Sequence, residues 1–165
     1  MPVQVIAYVA LGANLGDPVA TVRAAFAALH GIAGTRFLTA SALYRSAPVG
    51  LRNQPDFINA VAALEVDPAV LSAPTFLERL FAIEAAFGRV RSVKNAPRTL
   101  DLDLLMFGAE HLDLPGLTLP HPRMTERAFV LAPLGEIAPE LHIPGCGRIA
   151  DLLVGITGQR IERLS

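Results

Sequence analysis

Hydrophobic and polar residues alternate along this chain in blocks that predict strands and helices in turn. Two amphipathic stretches repeat with a period of about 3.6 residues, one beginning at Asp17-Pro18 and one spanning Pro74–Phe87. Asp17 is a favourable N-cap, Pro18 suits the first helical position, and Gly31 or Gly34 is expected to end the first helix. Apolar or alternating runs predict strands over four ranges: Val3–Leu11, Thr35–Arg45, Phe57–Val66 and Leu100–Phe107.

The order of these elements, β-α-β-β-α-β, indicates an α+β fold with a ferredoxin-like core, in which helices pack on the faces of an antiparallel sheet. We expect C-terminal additions to this core, with short helices over Pro120–Pro139 and a last helix near Arg148–Ile156. The chain shows no repeat or linker, so residues 1–165 are predicted to form a single domain. This fold hosts many functions and decides none of them.

A strand-like run near residue 100 contains an arginine and two aspartates. From Leu100 to Leu104 the alternation places the leucines on one strand face and the carboxylates of Asp101 and Asp103 on the other. Two carboxylates about 6–7 Å apart repel each other, and a magnesium ion shared with phosphates relieves that repulsion. The alternative is a half-exposed strand with a solvated acidic face. The adjacent Arg98 and the apolar run beyond the pair favour the metal site.

A basic segment leads directly into this strand. It carries four cations, Arg89, Arg91, Lys94 and Arg98. Arginine matches phosphate oxygens in bidentate geometry, and in phosphoryl transfer the protein mainly positions groups and stabilises charge. A solvated basic loop is the alternative interpretation. Cations beside an acidic pair favour a polyphosphate that both groups bind.

A rigid turn near residue 121 carries a further set of polar side chains. His121 lies between Pro120 and Pro122, and Arg123 and Arg127 follow closely. The alternative role for this histidine is a structural hydrogen bond. The neighbouring arginines make a phosphate contact the second candidate role.

An aromatic residue and an amide lie together after the loop Ser46–Pro55. Phe57 and Asn59 are two apart, so they are expected on the same strand face. A flat aromatic ring beside an amide that donates and accepts hydrogen bonds is suited to a planar heterocycle. The alternative is a core phenylalanine and a turn asparagine.

Composition narrows the classes of function. The chain has 165 residues, 52% of them hydrophobic, which is enough for a folded core. A net charge of −1 argues against a general nucleic-acid binder. No apolar run reaches transmembrane length, and the first residues do not resemble a signal peptide. Cys146 is the only cysteine, so no internal disulfide is possible. We therefore expect a cytoplasmic protein that does not bind membranes.

Four sequence blocks together resemble the 6-hydroxymethyl-7,8-dihydropterin pyrophosphokinase family, also called 2-amino-4-hydroxy-6-hydroxymethyldihydropteridine diphosphokinase. They occur in the family's order between residues 11 and 141, and the block Pro97–Asp103 is the most specific of them. The blocks are Leu11–Asp17, Tyr44–Gly50 running on to Gln54–Ala60, Gly88–Arg91 through Pro97–Asp103, and Leu119–Met124 with Arg127 and Phe129.

The resemblance implies a reaction of folate biosynthesis. In this family the pterin hydroxymethyl oxygen attacks the β-phosphorus of ATP, a diphosphoryl group moves to the pterin, and AMP leaves. ATP is then a co-substrate, and two Mg²⁺ ions are expected on Asp101 and Asp103. Asp103 is also a candidate acceptor for the hydroxyl proton. Both substrates are small molecules, and we expect a monomer.

The resemblance also implies roles for individual residues. Implied pterin contacts are stacking on both ring faces by Phe57 and Phe129, a hydrogen bond from Asn59, and backbone contacts from Ser46, Ala47 and Val49. Implied ATP contacts are Arg89, Arg91, Arg98, His121 and Arg127, with Glu84 near the nucleotide. The catalytic candidates are Asp101, Asp103, Arg89 and Arg98. Some members of the family carry a tryptophan in the basic segment, and this chain has none.

Two other functions fit the same residues. A nucleotidyltransferase that uses the acidic pair would release diphosphate instead of AMP. A ferredoxin-like ligand-binding module would bind nucleotide without turnover. The acidic pair facing a basic loop argues against the second, because a scaffold needs neither group.

Overall fold

The computed structural model describes residues 4–48, 53–88 and 99–164, which form helices and antiparallel strands. The strands are β1 (Val5–Ala13), β2 (Thr35–Ala40), β3 (Tyr44–Ser46), β4 (Phe57–Val66), β5 (Asp101–Phe107), β6 (Leu112–Leu114), β7 (Leu117–Leu119), β8 (His142–Ile143), β9 (Gly147–Arg148) and β10 (Ile161–Arg163). The helices are α1 (Pro18–His30), α2 (Ala73–Ala86), α3 (Ala128–Ile137) and α4 (Ile149–Gly155), with a 3₁₀ turn at Met124–Glu126.

Within the described ranges, six strands form one antiparallel sheet. Five follow the order β10-β3-β4-β1-β5, and β2 also pairs with β4. Strand β4 is therefore central, with β1 on one side and both β2 and β3 on the other. Two separate hairpins, β6–β7 and β8–β9, lie outside this sheet. No helix in the described part of the chain is long and apolar enough to cross a membrane.

Local capping explains where the first two helices begin. Asp17 Oδ1 accepts a hydrogen bond from the Ala20 backbone N–H at 3.1 Å, which confirms the predicted N-cap of α1. Helix α1 ends with Gly31 as its C-cap. Helix α2 begins after Ser72, whose hydroxyl accepts from the Thr75 backbone N–H at 3.4 Å. Both helices also have proline in their first turn, as predicted for α1.

The two faces of the sheet carry separate apolar clusters. The first cluster lies beneath α1 and α2, and the second lies beneath α3 and α4. Alternate residues of β1, β4 and β5 belong to one cluster or the other, as the pleat requires. The first cluster includes Val9, Leu11, Leu64, Phe76, Leu80, Leu102 and Leu104. The second includes Tyr8, Ala10, Val61, Ala63, Met106, Leu131 and Leu134.

The predicted strand Thr35–Arg45 is wrong in one respect, because the structure divides it into β2 and β3. Ser41 causes the break. Its backbone N–H donates to the Val61 carbonyl at 2.9 Å, and its hydroxyl accepts from the Val61 N–H at 3.0 Å. The side chain therefore replaces a backbone carbonyl in the ladder. The register also shifts between Phe37 and Thr39, so the chain bends across β4.

The C-terminal third is more regular than expected. The range Pro120–Pro139 contains the 3₁₀ turn and one helix of 10 residues, α3, instead of several short helices. The last helix is confirmed, since α4 lies within the predicted Arg148–Ile156. Strands β6 to β10 were not predicted. Each has two or three residues, which is too short for an alternation pattern to be read.

One polar network joins β3, α3 and β10. The Glu136 carboxylate accepts hydrogen bonds from the Tyr44 hydroxyl at 2.6 Å, the Ala42 backbone N–H at 3.0 Å and the Arg163 Nε at 3.4 Å. Burial and the Glu136 carboxylate raise the pKa of Tyr44 to about 12. Burial also raises the pKa of Glu136, but its hydrogen bonds outweigh burial and lower that pKa below its ordinary value. The network fixes these three elements to one another.

Candidate active site

One row of paired residues crosses the main sheet and joins two groups of predicted site residues. Tyr44 pairs with Asn59, Asn59 pairs with Gly12, and Gly12 pairs with Asp101. Directly paired residues of antiparallel strands project on the same face, so Asn59 and Asp101 share a face. They lie two strand spacings apart, which is about 10 Å. Helix α3 packs over a different part of this face, around Val61. Asn59, Gly12 and Asp101 lie outside the apolar cluster beneath α3.

The acidic pair has the geometry that its alternation predicts. Leu102 and Leu104 are buried beneath α1 and α2, and Asp101 and Asp103 project from the opposite face, half-buried. In the described ranges, no three His, Cys, Asp or Glu side chains are grouped so that they could hold a metal. An ion held by these two carboxylates would take its remaining ligands from phosphate and water, which is how magnesium is usually bound. The donor set therefore fits magnesium with a polyphosphate.

Glu84 lies under the acidic strand. It is 1% exposed, and its Oε2 accepts a hydrogen bond from the Leu102 backbone N–H at 2.7 Å. Leu102 stands between Asp101 and Asp103, so the carboxylate of α2 fixes the strand at the metal-binding candidates. A charge-assisted bond of this kind is stronger than a neutral one. The expected contact of Glu84 with ATP stays a prediction.

The amide of Asn59 is held in one orientation. Its Nδ2 donates to the Ser46 hydroxyl at 2.7 Å, and both residues are buried. Its Oδ1 lies toward Gly12, since a Cβ at Gly12 would be 3.4 Å from it and 3.9 Å from Phe57 Cδ1. Phe57 is half-buried, and Ala47 is exposed just after β3. The structure therefore brings Ser46, Phe57 and Asn59 together at one end of the row.

Asn14 was not among the predicted site residues, although it lies in a block of the resemblance. It is 1% exposed, and its Nδ2 donates to Gln54 Oε1 at 2.7 Å and to the Pro55 carbonyl at 3.0 Å. These bonds tie the end of β1 to the segment that enters β4 at Phe57. Its place between Gly12 and Gly16 in a turn-like sequence is the signal that could have indicated this anchoring role.

His121 is neutral and well oriented. Its backbone N–H donates to the Leu105 carbonyl at 2.8 Å, and its Nδ1 accepts from the Arg123 backbone N–H at 3.2 Å. The proton of the neutral ring is therefore on Nε2, which is a donor. Burial and the positive charges of Arg127 and Arg123 lower the pKa of His121 to about 4, although the Asp101 carboxylate acts in the opposite direction. The structural hydrogen bond is therefore confirmed, and the phosphate contact of His121 stays a prediction.

Arg127 and Phe129 lie together at the start of α3. The Arg127 Cζ is 5.4 Å from the centroid of the Phe129 ring, within the range of a cation–π contact. Arg127 is the N-cap residue of α3, and Phe129 packs against the second apolar cluster. The charge of Arg127 also acts on His121, and so does the charge of Asp101. The Arg127 guanidinium and the His121 ring therefore lie close to Asp101.

A cavity of about 280 Å³ lies at the β5 edge of the sheet. It lies between α2, β5, the β6–β7 hairpin and the turn at His121. Its lining is about half apolar and half polar, and Asp103, Thr118 and His121 supply polar side chains. The lining residues are Leu77, Phe81, Leu102, Asp103, Leu104, Gly116, Leu117, Thr118, His121 and Pro122.

Sequence reasoning missed most of these lining residues, but two signals were present. Phe81 lies off the apolar stripe that the sequence predicts for α2, which places an aromatic side chain outside the core. Pro115-Gly116 marks the tight turn that brings Thr118 to the cavity, with Gly116 at φ 81°. Four predicted site residues lie outside the described residues: Val49, Arg89, Arg91 and Arg98. Lys94 lies outside them as well.

Comparisons with known proteins agree on one family. The sequence model for 7,8-dihydro-6-hydroxymethylpterin-pyrophosphokinase (HPPK) matches residues 8–139. A relative from Pseudomonas aeruginosa, named 2-amino-4-hydroxy-6-hydroxymethyldihydropteridine pyrophosphokinase, is 46% identical over 157 residues, which cover 95% of each chain. A Haemophilus influenzae relative of the same name is 40% identical over 162 residues, which cover 98% of this chain and 99% of the relative.

The fold is also similar to that of a solved structure. Wild-type Plasmodium falciparum HPPK-DHPS with pteroate superimposes with a TM-score of 0.72 at 13% sequence identity. The match covers 94% of this chain and 43% of that chain, so this chain spans less than half of that protein. At such low identity the likeness shows the fold alone, a mixed helix and antiparallel sheet architecture.

Proposed function

The chain belongs to the 7,8-dihydro-6-hydroxymethylpterin-pyrophosphokinase (HPPK) family, and from this premise we propose its reaction. It transfers a diphosphoryl group from ATP to the hydroxymethyl oxygen of 6-hydroxymethyl-7,8-dihydropterin and releases AMP, as a step of folate biosynthesis. Residues 1–165 act as one pyrophosphokinase domain. Its core is ferredoxin-like, since the sheet order β5-β1-β4-β3 supports the β-α-β-β-α-β pattern. Helices α3 and α4 and strand β10 are its C-terminal additions.

The row Asn59–Gly12–Asp101 carries the proposal. It places an amide and an aromatic ring on the same face as a carboxylate, at a separation of about two strand spacings. That separation suits a bicyclic ring held by Phe57 and Asn59 whose one-carbon side chain reaches Asp101. Gly12 leaves the space between them open, because it has no side chain. Ser46, Ala47 and Val49 would contact the rest of the pterin through their backbone, and Phe129 would cover its second face.

The cavity beside β5 is the proposed nucleotide site. Its apolar walls from Leu77 and Phe81 suit a purine ring, and its polar end at Asp103 and His121 suits phosphates. A neutral His121 offers its Nε2–H to a phosphate oxygen without the cost of desolvating a cation. Arg127 supplies a positive charge close to that end. Arg89, Arg91 and Arg98 remain proposed triphosphate contacts on the basis of the family resemblance, and Glu84 supports strand β5 through the Leu102 N–H.

Asp101 and Asp103 are the proposed magnesium ligands. These carboxylates would hold magnesium against the phosphates, and the ion would supply positive charge that offsets the charge developing as the bond to the leaving AMP breaks. The protein's own side chains position the two substrates. Phe57 and Asn59 orient the pterin, and the cavity at His121 orients ATP, so that the hydroxymethyl oxygen and the β-phosphorus meet beside the carboxylates. Asp101 shares the row of Asn59 and is therefore the carboxylate nearer the hydroxyl. The role of Asp103 as proton acceptor stays a prediction.

A product assay tests this function. The protein would be mixed with magnesium chloride, ATP and 6-hydroxymethyl-7,8-dihydropterin, and the adenine nucleotides and phosphates would be separated. We expect AMP and pterin diphosphate in equal amounts, and neither product after chelation of magnesium. Free diphosphate in place of AMP would identify a nucleotidyltransferase, and ADP would identify a simple kinase. Nucleotide binding without any product would favour a ligand-binding module.

A further inference from the structure

One side chain of the C-terminal segment reaches back to the start of α3. Gln159 Oε1 accepts a hydrogen bond from the Ala128 backbone N–H at 2.9 Å, and its Nε2 donates to the Glu126 carbonyl at 2.7 Å. The two bonds lie on either side of Arg127. The Gln159 amide therefore pairs with the main chain on both sides of this arginine, as a neighbouring strand would.

The start of α3 needs this support, because its own N-cap cannot provide it. The first N–H groups of a helix have no partner within the helix, and Ser, Thr, Asp or Asn usually supplies an acceptor. Here the N-cap is Arg127, which has donors only and makes no side-chain capping bond. A positive charge is also unfavourable at the positive end of the helix dipole. Gln159, which is 31 residues after Ala128, provides the acceptor that Arg127 lacks.

We propose that Gln159 is a positioning residue for both substrates. It fixes the peptide groups on either side of Arg127, and these set the directions of the Arg127 guanidinium and the Phe129 ring that it contacts. The inference rests on the proposed function, which gives Arg127 a phosphate of ATP and Phe129 the pterin ring. Gln159 itself touches neither substrate in this proposal.

The exposure of Gln159 separates positioning from stability. Its side chain lies at the surface, so its removal uncovers little apolar area. A residue whose role was only structural would change the free energy of unfolding and leave the Michaelis constants of the folded enzyme unchanged. A positioning residue would change the Michaelis constants of the folded enzyme as well.

The test compares Gln159→Met with Gln4→Met. Methionine matches glutamine in length but makes neither hydrogen bond, and Gln4 is an exposed glutamine that precedes β1 at the end of the strand remote from Gly12. We expect Gln159→Met to raise KM for ATP and for the pterin on the order of tenfold, with a smaller change in kcat and a fall of roughly 2–4 °C in melting temperature from the lost capping bond. Gln4→Met should match the wild type. Equal Michaelis constants in all three proteins would overturn the proposal.

A double-mutant cycle shows whether Gln159 acts through Arg127. In an Arg127→Ala background, Gln159→Met should produce almost no further rise in KM for ATP, because the group that it positions is gone. An undiminished rise in that background would mean that Gln159 acts by another route, and the proposal would be wrong.

Two further readouts separate this inference from the proposed function. Hydrogen exchange of the Ala128 amide should be faster in Gln159→Met, and calorimetry should show weaker binding of magnesium α,β-methylene-ATP. Faster exchange with unchanged binding and kinetics would overturn positioning. If the wild-type protein formed no AMP, the proposed function would fall, and the affinity for the analogue would still decide the role of Gln159.

Discussion

The two faces of the main sheet differ in what covers them and in what the chain places there. Helices α1 and α2 cover the first face, where Leu11, Leu102 and Leu104 form a closed apolar cluster. Helix α3 covers only part of the second face, and the row from Asn59 through Gly12 to Asp101 lies beyond its cluster. The same three strands supply both faces, so a substitution at one strand position changes only one of them. Changes on the first face, and under α3 on the second face, should affect stability. Changes in the row that lies beyond the α3 cluster should affect the reaction.

The largest effect is expected from Asp103→Asn. The amide keeps the shape of the side chain but removes the negative charge that would hold magnesium, so kcat should fall about 10³-fold or more while the fold is kept. AMP formation and thermal unfolding would be measured together. Asp113→Asn on the exposed strand β6 is the matched control and should keep normal activity. A kcat for Asp103→Asn within about twofold of wild type would contradict the metal assignment.

Phe76→Ala tests the other face. Phe76 is 0% exposed and its ring centroid lies 6.0 Å from that of Phe107, so its loss should lower the free energy of unfolding by about 3–5 kcal/mol. At a temperature low enough for the variant to stay folded, its activity per folded molecule should match that of the wild type. Phe81→Ala, on the same helix but at the cavity, should cost little stability and should raise KM for ATP instead. Denaturant unfolding and steady-state kinetics would be measured on both variants. If Phe76→Ala and Phe81→Ala lost similar stability and raised KM for ATP by similar factors, the proposed separation of core and cavity would be wrong.

Acid should destabilise the protein through His121 on the second face. Its pKa is about 4 in the folded protein and about 6.5 in the unfolded chain, so the unfolded state binds the extra proton between these values. Stability is unaffected above the unfolded pKa and falls as the pH drops toward the folded one, by about 2 kcal/mol at about pH 5. Unfolding curves of wild type and His121→Gln at neutral and acidic pH measure this loss of unfolding free energy. Equal losses of unfolding free energy in the two proteins would show that His121 is not the source.

Gly12→Ala should weaken binding of the pterin and leave binding of ATP nearly unchanged. The new Cβ would lie 3.4 Å from Asn59 Oδ1 and 3.9 Å from Phe57 Cδ1, which are ordinary contacts, so the ligand-free protein should fold normally. It would occupy the space over which the pterin is proposed to lie, and KM for the pterin should rise by about tenfold. KM for ATP should change little, since the cavity is on the other side of Asp101. Equal effects on both substrates would argue against the row as the pterin site.

The smallest effect concerns the polar network beneath α3. Glu136→Gln removes the charge that accepts bonds from Tyr44, Ala42 and Arg163 and should cost about 1 kcal/mol of stability. Glu162→Gln is the control, because Glu162 forms a surface ion pair with Arg45 and such pairs contribute little. Chemical denaturation of both variants measures the difference. Equal stabilities would mean that the network does not contribute beyond a surface pair.

Strong local patterns made the central fold predictable. Strand β4 has the bounds Phe57–Val66 that its apolar run predicts, and α1 begins where Asp17 and Pro18 indicate. The break at Ser41 was not predictable, because it depends on Val61, which lies in another strand. Strand β10 was missed for a similar reason. Its three residues form a strand only because β3 lies beside them.

The positions of the candidate site residues could be predicted where an alternation is present. The shared face of Asp101 and Asp103 followed from period two in a leucine run, and that of Phe57 and Asn59 from their spacing. The roles of these residues come from the family resemblance and stay proposals. Gly12 and Gln159 could not be found in this way, because their roles come from what lies across the sheet or at the start of α3. Glu84 stands on a helix face with apolar neighbours, and its bond to the Leu102 N–H exists only in the folded chain.

Strand β10 has a consequence for how these molecules behave at high concentration. Its residues Ile161–Arg163 pair with Tyr44–Ser46 and so occupy backbone groups of β3 that would otherwise form an open sheet edge. Open edges recruit strands from other chains and promote aggregation, and short edge strands with charged side chains resist it. Glu162 and Arg163 give β10 that character. A chain cut before residue 161 would therefore precipitate more readily, even with its reactive groups untouched.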